Sequence, residues 1–67
     1  MNELEARIGT DDDVRSLTRM VKALESVDDL MDAMDMQLMR SRLQVIIENV
    51  ASARARRIAA IVDEEVG

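Results

Sequence analysis

Leu17, Met20, Leu24, Val27, Met31, Met34 and Leu38 follow one another in alternating steps of three and four. Apolar residues at that spacing fall on one side of an α-helix and form a continuous seam. The stripe holds for three heptads. Such a seam is buried only when a second helix lies against it, so the chain reads as all-α, with helix-on-helix packing as its core. Little else in the chain competes with this feature. His, Cys, Trp, Tyr, Phe and Pro are absent, and there are two Gly residues.

Sixty-seven residues make one small domain. A core of this size is marginal unless a disulfide, a metal or a partner chain reinforces it. Without Cys or His, neither a disulfide nor a zinc site is expected, and no cofactor is implied. A partner chain is therefore the expected source of extra stability. The net charge of −5 disfavours nucleic acid as the primary partner. No run of eighteen apolar residues predicts a membrane span. The opening Met1-Asn2-Glu3-Leu4-Glu5 is acidic and lacks an apolar signal core. A soluble cytoplasmic protein is the expectation.

Leu4 and Ile8, four apart, suggest a short N-terminal helical lead that stops at Gly9. Thr10 and Asp13 have capping-box spacing, and Asp11, Asp12 and Asp13 suit the first turn of a helix starting near 11. Capping, rather than a cation site, explains the three aspartates, because the alternating ligands and central Gly of a calcium loop are missing. The apolar phase changes between 35 and 41. We read this as an antiparallel two-helix hairpin, coiled-coil-like, with helices over about 11–34 and 38–64 and a turn at 34–38. One uninterrupted helix is the alternative, and Ser26-Val27-Asp28-Asp29 offers a second possible break.

In the second helix, Leu43, Ile47, Ala51, Ala55, Ile58 and Val62 form one stripe, expected to face the first helix. Ile46, Val50, Ala53 and Ile61 form another beside it, expected to remain unpartnered. Exposed apolar surface of that kind marks an interaction site. The partner-binding candidates are Ile46, Val50 and Ile61, with Met20 and Val21. Asp28, Asp29, Asp32 and Asp35 read as a solvated face. Arg54, Arg56 and Arg57 read as pairing with the acidic first half, since residues 1–35 carry ten acidic and four basic side chains. Ser and Thr hydroxyls have no His to activate them, so no enzymatic activity and no small-molecule substrate are expected.

The opening Met1-Asn2-Glu3-Leu4-Glu5-Ala6-Arg7-Ile8, the run Val14-Arg15-Ser16-Leu17-Thr18 and the aliphatic Ile58-Ala59-Ala60-Ile61-Val62 resemble the small E-type co-chaperones of type III secretion needle subunits. The length is similar too. The departures are a turn marked by Asp35-Met36-Gln37 instead of Gly, and a second helix without aromatics. The resemblance implies a two-helix hairpin that binds a larger tetratricopeptide-like chaperone and helps keep the needle subunit from polymerising in the cytoplasm. The alternative is a homodimeric small helical bacterial regulator, or a phage-type inhibitor that binds a host protein.

Overall fold

The computed structural model describes residues 2–67. Among these residues every regular element is helical: α1 spans Glu3–Thr10, α2 Asp12–Ala33 and α3 Gln37–Val66. The long axis of the molecule measures 47 Å, which is the length of α3 itself at about 1.5 Å per residue. α2 and α3 lie antiparallel along it. Arg40, early in α3, meets Asp28, late in α2, and Arg57, late in α3, meets Asp11 at the head of α2. α1 packs across both helices at the end where α2 begins and α3 finishes.

Each boundary has a local cause. Asn2 caps α1 by accepting a hydrogen bond from the backbone N–H of Glu5 at 2.8 Å. Gly9 does not stop this helix. It lies inside α1, and the last residue is Thr10, whose hydroxyl donates back to the Ala6 carbonyl at 2.7 Å. The break is confined to Asp11, whose extended backbone (φ −67°, ψ 127°) ends α1 and opens α2. The cap of α2 is thus Asp11 rather than Thr10: its Oδ2 accepts from the Val14 N–H at 3.1 Å. α2 then runs unbroken through residues 26–29. A single continuous helix over the chain is also ruled out, because α2 ends at Ala33.

The turn between α2 and α3 is closed by backbone bonds, with the Gln37 side-chain amide donating to Asp32 Oδ1 across it at 3.2 Å. The Asp35 N–H donates to the Asp32 carbonyl at 3.0 Å, and the Met36 N–H donates to the Met31 carbonyl at 2.9 Å. This pair of bonds is the Schellman arrangement, which requires a left-handed residue after the cap. Asp35 fills that position with φ 58°. Aspartate tolerates the left-handed region better than most side chains, although glycine suits it best.

The inter-helix seam differs from the one expected. The half-buried and buried residues of α2 along the seam are Val14, Leu17, Val21, Leu24, Asp28 and Met31, with Thr18 half-buried beside them. Along the matching seam lie Met36, just before α3, and Arg40, Leu43, Ile47, Val50, Arg54, Arg57 and Ile61 of α3. Both follow alternating steps of three and four, so both are proper heptad seams. The α2 seam keeps the Leu17–Leu24–Met31 column of the predicted stripe. It pairs that column with Val14–Val21–Asp28 instead of Met20–Val27–Met34. In α3, members of both predicted stripes enter the seam, whereas Ala51 and Ala55 stay exposed.

Polar pairs explain this choice. Asp28 is buried, not part of a solvated face, and both its oxygens accept from Arg40 Nε at 3.2 and 3.1 Å. Arg40 Nη1 also donates to Asp32 at 3.0 Å. Farther along, Arg54 Nε donates to the Thr18 hydroxyl at 2.8 Å, and that hydroxyl donates onward to the Val14 carbonyl. Arg57 grips Asp11 with two bonds, at 3.1 and 2.8 Å. Every buried side-chain nitrogen and oxygen among the described residues has a partner. A buried pair of this kind adds little net stability, but separating it leaves an uncompensated charge, so it penalises every other register. The seam is set by polar matching, and the fully buried apolar core is small: Val14, Leu43 and Ile61.

Candidate docking face

A column three residues on from Leu17, Leu24 and Met31 lies about 60° round the helix. Met20, Val27 and Met34 occupy it, outside the seam, with Leu30 alongside. These four side chains are between 41% and 61% exposed. On α3, Met39 and Ile46 are about half exposed. They hold the equivalent position, one residue before the seam positions Arg40 and Ile47. In an antiparallel pair, equivalent flanks of the two seams adjoin, so the two sets share one side of the molecule. A cleft of about 220 Å³ marks the junction, lined by Met31, Met39, Arg42, Leu43 and Ile46. Thioether and aliphatic groups make up nearly all of this lining, and methionine adapts its shape to varied apolar partners.

The five expected docking residues divide. Met20 and Ile46 lie exposed on this face. Val21 and Val50 are half-buried in the seam between α2 and α3. Ile61 is 2% exposed, the most deeply buried side chain of the fold, and cannot meet a partner without unfolding. The physical reason is the seam choice: Val50 and Ile61 continue the heptad of Leu43 and Ile47, and the polar pairs turn that heptad inward. Val27, Leu30, Met34 and Met39 belong to the face and were not among the candidates. Val27 and Met34 carry a signal, because both belong to the first-helix stripe that is expected to pack inside the hairpin, whereas Leu30 and Met39 lie outside every predicted stripe.

A cleft of about 370 Å³ near α1 is lined by Ile8, Gly9, Val14, Arg15, Thr18, Arg19 and Arg54. No nucleophile and base meet in it. Among the described residues no group of three acidic side chains is placed to hold a metal ion. The arginine cluster also divides. Arg57 pairs with Asp11 and, at 3.8 Å, with Asp13; Arg54 serves Thr18; Arg56 makes no ion pair. The Arg57 guanidinium and the Val14 N–H hold the Asp11 carboxyl down at a pKa of about 2. Asp11 in turn raises Arg57, and the Asp28 hydrogen bond raises Arg40. At the chain ends, Arg7 of α1 bonds Glu64 and Glu65 of α3.

No protein-family model, curated protein or solved structure matches this chain. No helix among the described residues is long and apolar enough to cross a membrane.

Proposed function

We propose that this chain is a non-enzymatic docking module, working in the cytoplasm as a two-helix hairpin that presents one apolar face to a helical partner protein. One observation carries the reading. The most regular apolar stripe in the sequence is only half used inside the fold, and its outer column of Met20, Val27 and Met34 stays in contact with water. Leaving such a column exposed forgoes about 25 cal/mol for every Å² of apolar surface that a partner could cover. A helix laid between α2 and α3 on this side would meet Leu30 and Met34 from one wall and Met39 and Ile46 from the other.

The resemblance to type III secretion co-chaperones supplies the partner class for this proposal: a tetratricopeptide-like chaperone that holds the needle subunit. Helical-repeat proteins offer the grooved helical surfaces that such a face would complete. The test is co-purification with any tetratricopeptide-like chaperone found encoded beside this chain, compared between the natural chain and Leu30→Glu. Loss of the complex is expected for Leu30→Glu, with helicity retained by circular dichroism. A binding partner that stabilises only the folded form should also raise the melting temperature of the natural chain. An equally tight complex with Leu30→Glu, or a neighbourhood without any such chaperone, sinks this reading.

A further inference from the structure

The back of α3 carries a second apolar column. Leu38, Val45, Ser52, Ala59 and Val66 recur at seven-residue intervals. Leu38, Val45, Ser52 and Ala59 each lie two residues from a seam position on either side, and Val66 continues their column, so about 200° of rotation sets the column opposite α2. All five are exposed, Leu38 at 69% and Val66 at 81%. A helix that is apolar on its front and its back is built to be covered on both. Beside this column runs a second, Arg42, Asn49, Arg56 and Asp63, also exposed. Among the described residues none of its three charged members forms an ion pair, unlike Arg7, Arg40 and Arg57.

We infer that the back of α3 pairs antiparallel with α3 of a second copy, about a two-fold axis at Ser52. The charges select this arrangement. With Ser52 facing its own symmetry mate, Arg42 stands opposite the second copy's Asp63, and symmetry repeats that pair at the other end. Arg56 stands opposite Asn49. Along the apolar column, Leu38 meets Val66 and Val45 meets Ala59, while the small Ser52 at the crossing lets the helices approach closely. Sliding one heptad in one direction sets Arg42 against Arg56. Sliding one heptad in the other sets Arg56 against its own mate. Both juxtapose like charges, so of the three registers only the one centred on Ser52 pairs opposite charges and sets no like charges together. This surface lies on a different side of α3 from the seam and excludes Leu30 and Met34, although Arg42 at its edge also lines the apolar cleft. Dimerisation and the docking proposed above are therefore separable through Leu30, which only the docking face contains.

Sedimentation equilibrium of the full chain over a dilution series tests the inference. The natural chain should dimerise. Arg42→Glu and Asp63→Arg should each weaken the dimer about tenfold, by reversing two symmetry-related pairs. The double variant Arg42→Glu/Asp63→Arg should return to within about threefold of the natural chain, because the pairs reform with exchanged signs. Circular dichroism checks that each variant keeps its helicity, and a charged residue at 63 that is positive also suits the C-terminal turn of α3. Leu30→Glu should leave the dimer intact. A natural chain that stays monomeric at the highest concentration overturns the inference. So does a failure of the double variant to recover. Recovery of Arg42→Glu by Glu48→Arg instead would place the copies parallel, and dissociation by Leu30→Glu alone would move the contact to the α2 face; either result also overturns it.

Discussion

The two ends of the α2–α3 pair are built from the same kinds of side chain and reach different states. At the α1 end, Val14 and Ile61 are buried, and Ile58 and Val62 are half-buried. At the turn end, Leu43 is the one buried apolar side chain among the described residues, and Leu30, Met34, Leu38 and Met39 lie exposed. The difference is a third helix. Two helices in contact enclose only the line between them, so side chains one column away from that line remain wet. α1 adds eight residues across the pair and closes one end. No such element covers the turn end. A short segment of this chain therefore does for one end what the proposed partners would do for the rest. Stability should be concentrated at the α1 end, with the turn end contributing the recognition surface.

The sharpest way to break this comparison is a matched pair of truncations. Ile61→Ala removes a fully enclosed side chain and should lower the unfolding free energy by about 2–4 kcal/mol. That is a large share of the total for a domain of this size. Leu30→Ala removes a side chain that is already mostly in water and should change stability by less than about 0.5 kcal/mol. Urea unfolding at low protein concentration measures both. Equal losses would mean that the turn end is as well closed as the other, and the contrast would fail.

Asp11 gives the α1 end a pH signature. Its carboxylate caps α2 and receives Arg57, and its pKa falls from an ordinary 3.8 to about 2. The unfolded chain therefore takes up this proton more readily than the folded one. The stabilisation is complete above about pH 4 and is lost as the pH drops through about 2. Asn is as good a cap as Asp but carries no charge for Arg57. Asp11→Asn should melt a few degrees below the natural chain at pH 7, and the gap should close on acidification to pH 2. A gap that persists at pH 2 would show that Asp11 acts through its shape rather than its charge.

What could be read from the residues alone follows from the same contrast. Helical character, the short lead and the region of the turn were all legible, because apolar period and capping residues act locally. The pairing of columns was not. Counting apolar positions favours Met20–Val27–Met34 over Val14–Val21–Asp28, since Asp28 interrupts the latter. The fold takes the interrupted column because Arg40 arrives from α3 to meet Asp28, a match between residues twelve apart that periodicity within one helix does not reveal. The same blindness put Ile61 on the candidate docking face. Its burial depends on where α1 and the α3 seam bring their side chains, and neither follows from α3 alone. The exposed face itself was half legible: Met20 and Ile46 were among the candidates, Val27 and Met34 were spent on a seam that does not form, and Leu30 and Met39 belonged to no predicted stripe.

The smallest expected effect sits at the turn, and it separates strain from function there. Asp35 holds a left-handed backbone that disfavours a side chain. Glycine adopts that conformation without a Cβ clash but loses more freedom on folding. The two terms partly cancel, so Asp35→Gly should stabilise the chain by about 0.5 kcal/mol, whereas the β-branched Asp35→Val should destabilise it by about 1–2 kcal/mol. Thermal melts of the two variants beside the natural chain resolve the sign. Because Asp35 makes no ion pair, neither change should alter dimer affinity or partner binding. If Asp35→Gly weakened the partner complex while raising the melting temperature, the turn itself would be part of the recognition surface, and the line between the stabilising end and the recognising end would move to include it.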